Sequence, residues 1–380
     1  MLFKNIPTRF SLVYFSIFMV IGINAPFFPL WLSSKGFNER YIAIILATSV
    51  LTKLFANPFF AGLGDKYGNR KIPMLYLSFI ASIILFSLNI FNSLYLLAFM
   101  AIISWALFAP LMPLTESLTT TAIKKYNFDY GNTRLWGSVS FIIFAFFGGI
   151  IIENYGLKYV PLLMTIGAIC LFISIVLMPS IKSLPARKKI STYALLKNRN
   201  FFPFLLACGA IQSSHGLYYG FSTIYWKSIG ISETIIGALW AEGVVFEIIL
   251  LAYFYKFRHY TSPKFYLVIA GSLAIVRWSL MVYADNILFI AIIQTLHAFT
   301  FGLTHLAAIY FISQVMPARS QAKCQALYSA ISMGAFLAVS ISFSGDIYKL
   351  FYNQSFFFSS FLAFIGIVIS LRFIKTKKVF

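Results

Sequence analysis

Glu116-Ser-Leu-Thr-Thr-Thr-Ala-Ile-Lys-Lys-Tyr-Asn-Phe-Asp-Tyr-Gly-Asn-Thr-Arg134 runs between two long apolar stretches. A glutamate closes the first and an arginine opens the second. Each lies nine residues from Lys125, the middle of the polar connection. Two helices joined this way form an antiparallel hairpin, and equal spacing from the turn sets the carboxylate and the guanidinium at roughly equal depth. The two are therefore expected to meet. If the flanking runs cross a membrane, the charges lie in hydrocarbon, where they are costly and mark a path for a solute or ion.

The rest of the chain supplies that setting. Of its 380 residues, 60% are hydrophobic and 11% charged, against about 25% charged in soluble domains. A soluble globule is excluded. Apolar runs of about 20 residues are the mark of spanning helices, and twelve fall at about 10–31, 41–63, 72–91, 95–121, 132–152, 158–178, 201–226, 235–255, 265–283, 287–312, 322–345 and 354–373. The fold expected is an all-α membrane protein with no large soluble domain. The first run follows Lys4 and Arg9 but is long and lacks a small-residue cleavage pattern, so it reads as a retained span.

A net charge of +20 would suggest nucleic acid were it not for its placement. With the amino terminus inside, 22 Lys and Arg fall in inner segments, 5 in outer ones, and three (Lys53, Arg134, Arg277) within runs. This asymmetry predicts cytoplasmic termini, and a multi-pass protein of a plasma membrane, such as the bacterial inner membrane. The bases face anionic lipid and no nucleic-acid partner is expected. Cys170, Cys208 and Cys324 lie in apolar runs without metal-ligand spacing. Neither a metal nor a cofactor is expected.

A basic connection at about 180–200 divides the chain near its midpoint, giving a six-run bundle over 1–179 and another over 201–380. The halves echo each other. An offset of 194 pairs Gly22 with Gly216, Gly36 with Gly230, Glu39 with Glu233, and Lys53 with Glu247. Weak repeats of this kind are expected of transporters built from two bundles, with equivalent residues at one depth. Lys53, too deep to snorkel, is expected to pair with Glu247 in at least one state.

Other polar residues interrupt the runs. Asn24 stands between Gly22 and Pro26 in the first, where bends and a cavity-facing amide are expected. Pro110 and Pro113 should disturb the fourth. His215 and the pair Tyr218-Tyr219 mark the seventh, Glu242 and Glu247 the eighth, Arg277 the ninth, His297 the tenth. Ala61-Gly-Leu-Gly-Asp65-Lys66-Tyr-Gly68-Asn-Arg70-Lys71 resembles the loop signature between helices two and three of the major facilitator superfamily. There the loop serves the conformational cycle. Gly68 suits a tight turn, and Asp65 is expected to accept hydrogen bonds from a neighbouring helix end.

Asp129-Tyr-Gly131 through Arg134-Leu-Trp-Gly-Ser138 is similar to the helix-four-to-five junction of the oligosaccharide:proton symporters. That resemblance implies solute binding by Glu116 and Arg134, and a proton-coupling role for Arg277 and His297. Two departures stand out: Thr300 takes the place of the coupling carboxylate, and Phe141 that of the tryptophan that stacks on the sugar. A broader resemblance, over nearly the whole chain, is to the 3-phenylpropionate permease branch. It rests on Pro113-Leu-Thr, Tyr218-Tyr-Gly-Phe-Ser222, Gly243-Val-Val, Val276-Arg-Trp278, His305-Leu-Ala-Ala308 and Gln325-Ala, besides the junction.

The expected function is transport: proton-coupled symport of a small organic solute by alternating access, with an aromatic carboxylate such as 3-phenylpropionate favoured. An oligosaccharide or nucleoside symporter, or an efflux antiporter of the same fold, is the alternative. Glu116, Arg134, Phe141, Tyr218, Tyr219 and Asn24 are the expected solute contacts. Glu247 leads the proton-coupling set, with Lys53, Arg277, His297, Glu242 and His215. The protein is expected to act as a monomer among membrane lipids. No close cluster of His with Asp or Glu near one surface suggests an enzyme, and no charge ring suggests a channel.

Overall fold

A computed structural model describes residues 5–181 and 191–374. Within them every regular element is helical. The first half runs α1 (Ile6–Ser34), α2 (Glu39–Lys66), α3 (Lys71–Ser87), α4 (Leu94–Phe108), α5 (Leu111–Tyr126), α6 (Tyr130–Tyr155) and α7 (Val160–Leu177). After the short α8 (Thr192–Leu196) come α9 (Phe201–Ser213), α10 (Gly216–Ser228), α11 (Glu233–Phe257), α12 (Pro263–Met281), α13 (Ile287–Thr295), α14 (Leu303–Val315), α15 (Gln321–Ala330), α16 (Phe336–Phe351) and α17 (Phe356–Phe373). Most of the basic connection, residues 182–190, lies outside the described residues, as do Lys4 and the bases beyond 374.

Among the described residues, nine stretches are long and apolar enough to cross a membrane. The expected run at 72–91 is the 17-residue α3, and the last two runs share one 53-residue stretch, Gln321–Phe373. The run at 201–226 is broken between α9 and α10, where Ser213 and Ser214 turn their hydroxyls back on the carbonyls of Ala210 and Ile211. The fourth run breaks at Ala109–Pro110, as its prolines suggest, since proline lacks the N–H that would continue the ladder. α1 by contrast runs unbroken through Pro26 and Pro29. Large apolar side chains such as Phe55, Tyr76 and Leu288 stand exposed along the helices. In a membrane that surface meets lipid.

Helix ends follow local chemistry. Asp129 caps α6 by accepting from the Asn132 N–H at 2.6 Å, Ser262 caps α12 and Asn286 caps α13. α1 and α10 stop alike: Gly36 and Gly230 take φ of +94° and +89°. The Phe37 and Ile231 N–H groups bond back to Leu32 and Trp226.

The chain forms two compact units. Unit one is Met1–Asn38, Thr48–Arg187 and Ser232–Ala241; unit two is Glu39–Ala47, Lys188–Ile231 and Glu242–Phe380. The opening turns of α2 and α11 thus each belong to the unit of the other sequence half. In unit one, α1 packs on α6 and α7, and α3 on α7; in unit two, α10 packs on α16, and α9 and α12 on α17. The pairing scheme is the same. It is reinforced at the glycines the offset pairs: Gly22 lies against the Phe141 backbone of α6, and Gly216 against Ser340 and Ile341 of α16.

Candidate functional site

Two polar clusters lie in the helices, one in each unit. The first is the opening hairpin. Asn127 adopts a left-handed conformation (φ 49°) to end α5, and the Asp129 cap starts α6. This sets Tyr130, Arg134 and Gly137 on one face of α6 at helical spacing. Arg134 Nε lies 3.4 Å from Glu116 Oε1. The Tyr130 hydroxyl donates to Glu116 Oε2 at 2.6 Å. The other side of the guanidinium is aromatic, 4.4 Å from the Phe18 ring centre and 5.4 Å from that of Tyr14. Tyr14 donates to Thr119 Oγ1 at 3.1 Å, which fixes its ring.

Gly137 makes the room. A β-carbon there would stand 2.8 Å from both Arg134 Nη1 and the Phe18 ring. The Arg134 and Glu116 side chains are 27% and 29% exposed. Asn24 is half-buried on α1 with no protein hydrogen bond among the described residues. Phe141 is buried on the α1–α6 seam. Lys53 is half-buried on α2, with no carboxylate of its own unit in ion-pairing distance among the described residues.

The second cluster centres on Arg277 of α12, whose side chain is wholly buried. Its Nη2 donates to Gln294 Oε1 at 2.7 Å, and its Nη1 to Thr300 Oγ1 at 3.0 Å and His297 Nδ1 at 3.1 Å. Nε has no hydrogen-bond partner among the described residues. Gln294 passes the chain on, donating from Nε2 to the Tyr218 hydroxyl at 2.7 Å. Tyr218 and Trp278 put their ring centres 4.8 and 4.4 Å from the guanidinium. No carboxylate pairs with Arg277 among the described residues. Its ligands are neutral.

Donor logic assigns the protons. A guanidinium has no lone pair to offer, so His297 Nδ1 must accept, leaving that ring neutral with its hydrogen on Nε2. His215 Nδ1 faces the Gln212 carbonyl at 3.2 Å and therefore carries hydrogen. Its Nε2 meets Thr300 Oγ1, also at 3.2 Å. Thr300 has one proton and two acceptors, that Nε2 and the His297 carbonyl at 3.3 Å. When His215 is neutral, the hydroxyl serves the ring. When His215 is charged, it turns to the carbonyl.

The backbone sets this geometry through a π-helical turn, Ala298–Gly302, between α13 and α14. π-turns inside α-helices shift the side-chain phase and cluster at functional positions. Gly243 of α11 lets the His297 ring pack close, and Glu247 lies against Gly302. Glu247 is also within electrostatic reach of Tyr219, and Glu242 within that of Tyr218. Both glutamates and Tyr219 are half-buried.

In the loop signature Asp65 accepts from Arg70, the residue that opens α3, at 2.8 Å from Nη2. Lys71 donates to the Val176 and Met178 carbonyls, at 2.8 and 2.6 Å, closing the end of α7. Gly68 takes φ +62° at the turn, and Lys66 ends α2. Sequence reasoning did not find Tyr14, Phe18, Tyr130 or Gln294, and it read Thr300 as a missing acid rather than a hub. Among the described residues, no group of His, Cys, Asp and Glu is placed to hold a metal.

Apolar helices of spanning length make this an integral, multi-pass membrane protein, and polar clusters built on arginine interrupt them. The profile of the MFS_1 like family matches residues 8–359, and the chain belongs to that family. It is 30% identical over 355 residues to the probable 3-phenylpropionic acid transporter of Escherichia coli (strain K12), covering 89% of this chain and 90% of that one. It is 24% identical to the sucrose permease of Escherichia coli, over 78% of this chain and 76% of that one. The crystal structure of the nucleoside transporter NupG matches with a TM-score of 0.81, at 14% identity, over 98% of this chain and 100% of that one. A bacterial homolog of the human lysosomal transporter Spinster matches at 0.74 and 12% identity, over 97% and 96%. At such identities the structures speak for the fold. These relatives are transporters, and so is this chain; it is not an enzyme.

Proposed function

We propose that the protein is a proton-coupled symporter of a small aromatic carboxylate, with twelve spans in two six-helix bundles (1–179 and 201–380), a 180–200 linker and cytoplasmic termini in a bacterial inner membrane. It works by alternating access as a monomer. The observation that carries the reading is Arg134: a reachable guanidinium, held by Glu116 and backed by the rings of Tyr14 and Phe18. A guanidinium grips carboxylate oxygens in a bidentate fork, and aromatic faces suit a phenyl group beside it. The relative at 30% identity, a probable 3-phenylpropionic acid transporter, favours the same class. In the same unit as Arg134, Asn24 and Phe141 are the further solute contacts; Tyr218 and Tyr219 are the candidates of unit two.

Coupling is assigned chiefly to unit two. Glu247 is the leading proton carrier, with Glu242, His215 and His297 behind it; Lys53, of unit one, is the remaining member of the proposed set. Arg277 supports the assignment because its bond to His297 Nδ1 and a proton on that nitrogen exclude each other. A second reading is favoured by charge balance. Glu116 already neutralises Arg134, so the site also suits an uncharged polyhydroxyl solute. The sucrose permease relative agrees with that reading.

The test is uptake into proteoliposomes under an imposed pH gradient, with labelled 3-phenylpropionate, sucrose and a nucleoside offered in parallel. Accumulation of the aromatic acid, abolished in Glu247→Gln, is expected. Accumulation of sucrose or nucleoside in its place would replace the substrate class. Movement out of the vesicles against the proton flow would make the protein an exporter.

A further inference from the structure

We infer that a basic pocket at the start of α9 and the end of α17 binds the phosphate group of an acidic phospholipid. The pocket, of about 560 Å3, lies wholly within unit two and is lined by Lys197, Arg199 and Arg372 with Asn198, Phe202 and Phe373. All three cations are exposed, and no carboxylate pairs with them among the described residues. The sequence gives a reason. Both walls come from stretches, 154–232 and 347–380, that contain no Asp or Glu.

Aromatic faces are the charges' neighbours instead. Lys197 Nζ is 5.1 Å from the Tyr193 ring centre, and the Arg372 guanidinium 5.7 Å from that of Phe373. Such contacts attract a cation without neutralising it. α9 adds the positive end of its dipole, since its first turn holds no acid. The backbone there is already capped, with Asn198 Oδ1 accepting from the Asn200 and Phe201 N–H groups. The donors left for a ligand are therefore the charged side chains. Like charges around one pocket repel, and an anion relieves them.

The surroundings favour a lipid as the source of that anion. α17 belongs to a stretch of spanning length, and the pocket sits at its last residues. Phe202, Leu371 and Phe373, 44%, 57% and 50% exposed, put apolar surface beside the cations. A phospholipid offers a matching pair: an anionic phosphate at the depth where a spanning helix ends, and acyl chains alongside. Basic clusters next to helix ends attract acidic headgroups at about fivefold in affinity per cation. A dissolved anion would use the charges and leave the apolar rim unfilled.

The test counts lipids retained by the purified whole chain in native mass spectrometry. The protein is presented with phosphatidylglycerol and phosphatidylcholine in neutral detergent. Wild type should keep phosphatidylglycerol in preference. The triple variant Lys197→Gln, Arg199→Gln, Arg372→Gln should bind it more weakly by on the order of 100-fold. A second triple, Lys256→Gln, Arg258→Gln, Lys323→Gln, removes equal charge from other parts of unit two and should keep the wild-type count. The unfolding midpoint of each variant in lipid-free detergent shows that it is folded. Retention by the first triple, loss in both triples, or equal retention of phosphatidylcholine would overturn the site. Displacement of the lipid by millimolar inorganic phosphate alone would make it a small-anion site and overturn the lipid assignment.

Discussion

The two arginine clusters solve one problem in opposite ways. Arg134 keeps about a quarter of its side chain accessible and has a carboxylate beside it. Arg277 has no exposure and no carboxylate partner among the described residues, only neutral hydrogen-bonding groups and ring faces. The first arrangement tolerates a visitor, because water and Glu116 already share the charge. The second is held by geometry, because a desolvated guanidinium leans fully on each acceptor aimed at it. The comparison teaches that burial, more than residue type, sets how an arginine's charge is shared: with a carboxylate at Arg134, with neutral acceptors at Arg277.

That contrast is open to attack, beginning with its largest consequence. Arg277→Met leaves Gln294, His297 and Thr300 without their donor, at about 1–3 kcal/mol for each orphaned buried group. A marked loss of thermal stability in detergent is expected, along with loss of pH-driven accumulation. Arg134→Met removes a partly exposed pair of the kind worth about 0.2–1 kcal/mol. It should weaken solute binding while leaving the unfolding midpoint nearly in place. Equal destabilisation by the two would break the distinction.

Thr300→Val should come next, at about 1–3 kcal/mol of stability from the unpaired neighbours. Thr300→Ser should restore the wild-type pH dependence of uptake, since the hydroxyl is what the two histidines share. Gly137→Ala tests the open cluster. Overpacking costs about 1–3 kcal/mol, so the half-saturation concentration should rise by about fivefold to 150-fold, with the proton-coupling ratio unchanged. The smallest effect is expected of Tyr130→Phe, which removes one hydrogen bond to Glu116, worth about 0.5–1.5 kcal/mol. A rise in half-saturation of less than about tenfold would fit, read by direct binding of labelled solute.

Much of this was legible beforehand, for physical reasons. Long apolar runs announce helices because hydrocarbon leaves the backbone few alternatives. The Glu116–Arg134 contact follows from symmetric spacing about a turn, which a hairpin preserves. The rest depends on packing. The π-turn at 298–302 adds a residue to a helix without altering its composition, so it could not be seen, and it is where Thr300 lies. The contact of Phe18 with Arg134 joins α1 to α6, more than a hundred positions apart, and no local pattern encodes it. Gly137 stood inside the quoted motif, yet its purpose appears only beside the group it would otherwise strike. The bonds of Lys71 to the end of α7 are of the same kind: sequence supplies the charge and not its direction.

Lys71 has a counterpart. Lys264, at the start of α12, donates to the Leu371 carbonyl at 2.8 Å, near the end of α17, as Lys71 at the start of α3 does to the end of α7. The 194-residue offset brings Lys71 within one position of Lys264. A device set at matched places in both halves is most simply inherited from a single ancestral half, in place before that half was copied. The two arginine clusters share no such correspondence: the same offset sets Tyr328 opposite Arg134 and Ile83 opposite Arg277. The repeat therefore extends to how a helix end is tied down, and stops short of the two arginine clusters.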